Sequence, residues 1–434
     1  MNFAVVGSGI AGLAAAYRLS SWAHVTLLEA GEHFGGHTRT IDVTLPGQDG
    51  QLVTHGVDTG FLVFNHRTYP GLTALLEELR VPAAPSTMSF SVQLPGPDGQ
   101  PALEWGGASL ATVFAQRRNL VRPRFWAMLA DLLRFNRLCT TLARRGDDAA
   151  LAEPLGAFLD RHGFGRALRD WYLLPMLGCI WSCPTEQMLA FPVGTMIRFC
   201  HNHGLLQVYG RPTWFTIPGG ARQYVQRIVA RLADARLRTP VRRIERDPAG
   251  VTVITDAGRA RFDAVVLATH SDQALALLAQ PTDQERALLG AIRYQRNRAV
   301  LHTDTSVMPK RRSVWSAWNY ERAADAGTEA ARVCLHYWLN ALQPLPFRTP
   351  LIETLNPVRP IDPASVIDEV EFEHPVFDHA AVAAQRQIAA LQGRQRTWFA
   401  GAWLGYGFHE DGLRAGDAAA QAIEKAWRGW RAAA

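Results

Sequence analysis

The residues with the clearest chemistry lie near the start of the chain: Gly7, Gly9 and Gly12 in the run Val5-Val6-Gly7-Ser8-Gly9-Ile10-Ala11-Gly12-Leu13-Ala14, answered by Glu29. The first glycine of such a run makes a tight turn. The second lets backbone N–H groups approach a diphosphate, and the third lets a helix pack closely on a strand. A helix beginning there turns unsatisfied N–H groups and the positive end of its dipole toward phosphate charge. Glu29, at the end of a second apolar run from Val25 to Leu28, can accept from both hydroxyls of a ribose. The pattern predicts a bound dinucleotide.

Four later stations fit the same ligand. Gly35-Gly36-His37-Thr38-Arg39-Thr40 offers a second glycine pair past the ribose carboxylate, and Val57-Asp58-Thr59-Gly60-Phe61 is a strand end opening into glycine. Pro240 to Ile244, Val251 to Val253 and Asp263 to Thr269 form a strand set. The stretch Phe399 to Gly416, which carries Gly401, Gly405, Gly407 and Gly412, places a helix start near the chain end.

The elements that must position these groups read from the periodicity. Phe3 to Val6 and Val25 to Leu28 are predicted strands around an alanine-rich helix, and Ile41 to Asp58 reads as a hairpin turning at Gly47, Asp49 and Gly50. From Pro70 to about Cys200 the pattern is mostly helical, with one-faced apolar runs at Leu72 to Leu79 and Trp126 to Leu142. Pro218-Gly219-Gly220 precedes a predicted helix, Tyr224 to Leu232, followed by strands at Leu237 to Ile244, Val251 to Thr255 and Ala264 to Thr269. Val333, Leu335, Tyr337 and Leu339 share one face of a predicted strand, and the chain closes with a strand at Thr397 to Ala400 and a helix from about Gly412.

Nucleotide-type strands thus return twice after long insertions. The fold class expected is α/β: a Rossmann-like cofactor domain built from the discontinuous segments 1–69, 212–282 and 396–434. A substrate domain follows from 70–211, mostly helical, and 283–395, mostly sheet.

A chain of 434 residues with 48% hydrophobic content can bury a large core. Five dispersed cysteines imply no disulfide framework, and Cys179 with Cys183 lacks a partner pair at metal-site spacing; no metal is expected. No leader and no spanning apolar stretch is visible, so the expected location is cytoplasmic, or peripheral on the inner face of the membrane. The net charge of +6 is carried by arginine, with Lys310 and Lys425 the two lysines, and no nucleic-acid-binding motif accompanies it.

In order and spacing, these motifs resemble the flavin-containing amine oxidase superfamily, which also holds phytoene desaturases, protoporphyrinogen oxidases and fatty-acid double-bond isomerases. The resemblance covers the whole chain. It is nearest to bacterial FAD proteins encoded beside cyclopropane-fatty-acyl-synthase-type methyltransferases, which share the Val57 to Phe61, Thr354-Leu355-Asn356-Pro357 and Gly407 to Gly412 phrases. It implies a glutathione-reductase-type FAD domain and noncovalent FAD, since cysteine is absent after Cys334.

Carried onto this chain, the resemblance assigns Gly7, Ser8, Gly9, Ile10, Ala11 and Gly12 to the diphosphate and Glu29 with Ala30 to the adenosine ribose. Gly35, Gly36, His37, Thr38 and Arg39 would line the cofactor; His37 stands where arginine is usual, which weakens a phosphate contact or moves it to Arg39. Gly60 and Phe61 would lie against the isoalloxazine, Val241 would hold adenine by its backbone, Gly401 would lie near the ribityl chain, and Ala268, Thr269 and Ala402 would also touch the cofactor. Gly407, Phe408, His409, Gly412 and Leu413 would present backbone N–H to the pyrimidine edge.

The lysine that such amine oxidases place on a strand resembling Arg298 to Thr303 is absent, and an aromatic pair is only half recognisable in Phe408 with Trp403 or Tyr406. Two features point to a long apolar substrate instead. Trp171, Tyr172, Trp181, Trp315, Trp318, Tyr320, Tyr337 and Trp338 are dense enough to line a channel, or to fill a core. Gln116 to Arg145 interleaves eight arginines with Phe125, Trp126, Met128, Leu132, Leu133 and Phe135, as a lipid-surface helix or a plain solvated one would.

The expected reaction is hydride transfer from a fatty-acyl or phospholipid-linked C–H to flavin N5, a desaturation or oxidation, with His409 or Glu410 as base, unless these merely cap the last helix. Redox-neutral isomerisation, amine oxidation, and a non-catalytic role beside a lipid methyltransferase partner remain as alternatives.

Overall fold

The computed structural model describes residues 1–96, 100–146, 151–181, 185–207, 210–323 and 333–433. Cys183 lies outside the described residues. In chain order, β1 (Asn2–Val6), α1 (Ile10–Ser20) and β2 (His24–Leu28) are followed by the hairpin β3 (Thr40–Pro46) and β4 (Leu52–Asp58). Next come α2 (Pro70–Glu78), β5 (Ala84–Ser86), β6 (Phe90–Pro95) and β7 (Pro101–Gly106). A helical stretch includes α3 (Pro123–Arg145) and α4 (Val193–Asn202); β8 (Trp214–Thr216) and α5 (Arg222–Val229) end it. Then follow β9 (Asp234–Arg236), β10 (Val241–Asp247), β11 (Gly250–Thr255), β12 (Gly258–Phe262), β13 (Ala264–Leu267) and β14 (Arg293–His302). The chain ends through β15 (Trp318–Glu321), β16 (Cys334–Trp338), β17 (Ile352–Leu355), β18 (Val366–Val376), β19 (Thr397–Phe399) and α6 (His409–Ala433).

A five-stranded parallel sheet in the order β19-β13-β1-β2-β9 gathers strands from three separated stretches of chain. Its central strands are continuous apolar runs because helices and further strands cover both faces. One face carries α1, α5 and α6; the other carries the meander β10-β11-β12. The second large sheet, β18-β14-β17-β16-β15-β6-β7, is antiparallel except where β15 pairs with β6. One of its faces packs on the helical stretch and on the β3-β4 hairpin.

Four sequence expectations change. The stretch Pro70 to Cys200 is interrupted by β5, β6 and β7; β6 pairs with β15, more than two hundred residues on, and β7 pairs with β6 to complete the second sheet. Leu237 to Pro240 is loop, with Arg238 at φ 49°, so the strand begins at Val241. The strand expected over Val333 to Leu339 is Cys334–Trp338, followed by a helical turn; Leu335 and Tyr337 do share a face, and Cys334 and His336 on the other are buried too. The last helix starts at His409 rather than near Gly412.

Candidate active site

The first turn is as tight as its glycines require. Gly7 has φ +94° and a Cβ there would stand 2.7 Å from the Ala268 carbonyl oxygen, while a Cβ on Gly12 would stand 1.9 Å from that of Gly7. Gly9 differs: its φ is an ordinary −60° and a Cβ there would meet nothing within 4 Å. It is the N-cap of α1, which has neither a side-chain cap nor an acid in its first turn, so the helix presents bare N–H groups beside open space. The second glycine pair closes on the first. Gly35 N donates to Ser8 O at 3.0 Å, and a Cβ on Gly36 would lie 3.2 Å from Gly9 Cα.

Glu29 is fixed at the rim. Its Oε2 accepts from Ser8 N at 2.9 Å and Ser8 Oγ at 2.5 Å, and Oε1 accepts from Gly31 N at 2.8 Å. A carboxylate has about four acceptor positions, which leaves one for a ribose hydroxyl. Ala30 is exposed beside it, and Thr239 N donates to Glu29 O at 2.8 Å, which brings Val241 to the same rim. Ala268 N bonds Val6 O at 2.8 Å, and Thr269 O accepts from Trp403 Nε1 at 3.1 Å. A Cβ on Gly401 would strike the Trp403 ring, and one on Gly412 would lie 2.7 Å from Ile10 Cγ2, so Ala402, Gly412 and Leu413 seat α6 directly on α1. An uncapped helix start, two interlocked glycine turns and a rim carboxylate fit a dinucleotide diphosphate and ribose.

At the other end of this cradle Phe61 stacks on His409, ring centroids 3.9 Å apart, and Phe61 N donates to His37 O at 2.9 Å. Gly60 lies so close to that carbonyl that a Cβ would be 2.1 Å away. His409 Nε2 lies 2.7 Å from Tyr224 Oη and 3.4 Å from Thr38 Oγ1, and Thr38 and Tyr224 hydroxyls touch. Burial pushes His409 down to about 3, so the imidazole is neutral. His37, also pushed down to about 3 by burial and by neighbouring histidines, stacks on Phe372 and keeps a buried Nε2 without partner among the described residues.

Two sequence assignments are corrected here. Glu410 is no free base: its two oxygens accept from Gly71 N and Leu72 N, each at 2.9 Å, and cap the first turn of α2, not α6. His409 is neutral, the form in which an imidazole can take a proton, and its Nε2 is engaged by Tyr224. Arg39 is not available to a phosphate, because it bonds Asp368 at 2.7 Å and Thr59 at 3.2 Å. The neighbouring Asp411 closes the loop before α6 by accepting from Tyr406 N and Phe408 N, and burial raises it to about 6.

Beyond the loop, aromatic rings meet in one layer. Phe408 stacks on Phe199 at 4.8 Å, Tyr406 meets the same ring edge-on, and Trp181 lies 4.8 Å from it and donates to Tyr406 O. Trp403, considered as a partner for Phe408, sits instead in the core behind β13 and β19. A cavity of about 170 Å³ lies against Gly405 and Tyr406, between Trp181, Phe191, Phe377 and Val382.

The sheet supplies the facing wall. Cross-strand register puts Leu301, Glu353, Tyr337 and Trp318 in one row, with Ala299, Leu355, Leu335 and Tyr320 in the next. Trp318 and Tyr337 touch edge-to-face at 5.2 Å. Leu301 thus occupies the row on the strand where the resemblance expects a lysine. Trp315 and Trp338 pack on the outer face with Arg312, and Trp171 is a partner for Arg122 and Arg124, so these three do not line the site.

Glu353 was not anticipated. It is 3% exposed, its carboxyl has no hydrogen bond among the described residues, and burial raises it well above the ordinary carboxylate range. The signal was an acid inside the apolar strand Ile352-Glu353-Thr354-Leu355. On the opposite face of the sheet, Glu321, Cys334 and His336 cluster, but Arg359 already bonds both Glu321 oxygens, at 2.6 and 3.0 Å, and answers its charge.

The comparisons with known proteins follow this geometry. A family model, flavin containing amine oxidoreductase, matches residues 10–424. A protein of Mycobacterium tuberculosis named as a flavin-containing monoamine oxidase, AofH, is 27% identical over 283 residues, 62% of this chain and 56% of that one. The chain thus spans about half the length of the curated relatives it matches. A fatty acid isomerase from P. acnes that produces CLA shares the fold at TM-score 0.66 and 17% identity, covering 96% of this chain and 97% of the other. Cyclohexylamine oxidase from Brevibacterium oxydans does so at TM-score 0.66 and 18% identity, covering 98% and 99%.

Proposed function

The chain belongs to the flavin-containing amine oxidoreductase family, and from that premise we propose that it oxidises or desaturates a long apolar, fatty-acyl or phospholipid-linked substrate. FAD is the cofactor that family membership implies. Noncovalently held by the glycine turns, Glu29 and the N-terminus of α1, it would supply a hydride acceptor at the aromatic end of the cradle. The chain's own residues would do the rest. His409, fixed by Tyr224 and Thr38, supports Phe61 and orients the start of α6. Asp411 shapes the Tyr406-Gly407-Phe408 turn.

The observation that carries the substrate class is the apolar packing around the aromatic end of the cradle. Phe199, Phe408, Tyr406, Trp181, Leu335 and Leu355 share one hydrophobic cluster with Tyr337 and Trp318, and Leu301 lies in the adjoining cluster against the β3-β4 hairpin. Such surroundings exclude water and favour an acyl chain. Glu353, whose charge burial disfavours, would then act as a hydrogen-bond donor, and the proton lost beside the hydride would pass to solvent.

A second reading, amine oxidation, is favoured by the same Glu353, since an arriving ammonium would pair with it once ionised, and by the name of the AofH relative. The deciding experiment is anaerobic incubation of the FAD-loaded protein with extracted membrane lipids, followed by mass spectrometry. The proposal expects flavin bleaching and an acyl product two hydrogens lighter. Turnover to a product of unchanged mass without bleaching would instead mean isomerisation. Bleaching by amines but by no lipid would establish the second reading.

A further inference from the structure

We propose that the surface from Leu110 to Arg137, with the cleft beside it, docks the protein on an anionic lipid bilayer. Five of the nine large apolar side chains exposed to solvent among the described residues are here: Leu110, Leu120, Val121, Trp126 and Leu133, with Val121 82% exposed. On α3, Trp126, Ala130, Leu133 and Arg137 form one exposed stripe, opposite the buried face of Phe125, Met128, Phe135 and Cys139. Trp126 is held in place, donating to Leu120 O at 2.9 Å and lying on Phe114 at 5.2 Å, so α3 and the turn before it present one continuous apolar knob.

Asp131 on α3 is answered by Arg134 at 2.9 Å, and the charges left without an ion pair around the knob are of one sign. Arg117, Arg118, Arg122 and Arg124 form no ion pair with any described residue; Arg118 and Arg122 donate to backbone carbonyls at Pro101 and Ala102. In the meander, by contrast, Arg242, Arg259 and Arg261 each meet an acid. Beside the knob a cleft of about 490 Å³ has an apolar floor of Leu94, Leu103 and Trp171 under Arg122, Arg124 and Arg322. Asp170, which also lines it, is bonded to Arg169 at 2.7 Å.

Unpaired guanidiniums ringing exposed Leu, Val and Trp match the layering of a bilayer, with phosphates outside and acyl chains beneath. The excess of one charge sign fixes the occupant as anionic phospholipid. The inference is independent of whether the substrate is an acyl chain or an amine.

The test is co-sedimentation of the FAD-loaded protein with phosphatidylcholine vesicles and with vesicles also containing phosphatidylglycerol. Binding is expected to the anionic vesicles only and to be released by salt. Arg117→Gln and Arg124→Gln should each weaken it about fivefold, the equivalent of about 1 kcal/mol per basic residue at such a surface. Val121→Asp should abolish it, while Leu52→Asp, at an exposed leucine elsewhere, should not change it; retained flavin verifies that each variant is folded. Equal binding to neutral vesicles, no binding to either, or unaltered binding of Val121→Asp and the arginine variants would overturn the proposal. So would a self-association that Val121→Asp removes while vesicles stay unbound, which would assign the surface to a second copy of the chain.

Discussion

Replacing Glu410 separates a structural carboxylate from a catalytic one. Its oxygens accept from Gly71 N and Leu72 N, both at 2.9 Å, and Leu72 is fully buried. Nothing else serves these donors: Tyr69 at the N-cap of α2 offers no side-chain bond, and Pro70 has no N–H. Hydrogen bonds to a charged group contribute roughly 1.5–3 kcal/mol each, and losing a helix cap typically costs about 1 kcal/mol. Because the two estimates overlap, Glu410→Ala should destabilise by about 2–4 kcal/mol. Glu410→Gln should lose about half of that, since its amide places a donor against a donor. Urea midpoints read at a fixed excess of FAD would measure this without confusion from cofactor release. Below the transition, anaerobic flavin reduction by substrate should stay within a few-fold of wild type in both variants. A glutamine variant as stable as wild type but slowed by about a hundredfold or more, the scale of a lost general base, would refute the reasoning.

Three other outcomes follow from named residues. Gly9→Ala should leave the fold intact yet empty it of FAD, since its methyl meets no protein atom but occupies the diphosphate side; Gly12→Ala, whose methyl would lie 1.9 Å from a carbonyl, should fail to fold. Urea midpoints and flavin absorbance on the purified variants distinguish the two. His409 is depressed to about 3 from an unfolded value near 6.5, so the stability it contributes is complete above that value and is lost as pH falls. At about pH 5.5 the loss is about 1.4 kcal/mol; His409→Phe should be less stable overall but fall less steeply between about pH 7 and 5, and equal slopes in urea titrations would contradict the assignment. Glu353→Gln, which mimics a protonated acid, should keep acyl oxidation within several-fold; under the amine reading it would instead raise the amine concentration needed for flavin reduction by about a hundredfold, the loss of a buried charge pair.

The sequence was most informative where the requirement is local. Gly7 and Gly12 must be glycine because backbone atoms 2.7 and 1.9 Å away forbid a Cβ, and that constraint lies within one turn and one helix. It was least informative where the deciding partner is remote. β6 is a strand because it pairs with Trp318–Glu321, and Glu410 is a cap because its donors lie 339 and 338 residues earlier. The contact of His409 Nε2 with Tyr224 likewise depends on where α5 packs. Glu353 could not be singled out because only the strand register sets it in the buried row with Leu301 and Tyr337. The basic helix was legible in composition, whereas its exposed knob of Val121 and Trp126 depended on which face α3 buries.

The central claim is that this cradle holds FAD against an apolar substrate wall. It is tested most directly by following the visible absorbance of the FAD-loaded protein, without oxygen, as fatty-acyl phospholipids and then primary amines are added. The account predicts that the band bleaches with an acyl substrate and persists with amines. Bleaching by amines alone would contradict it.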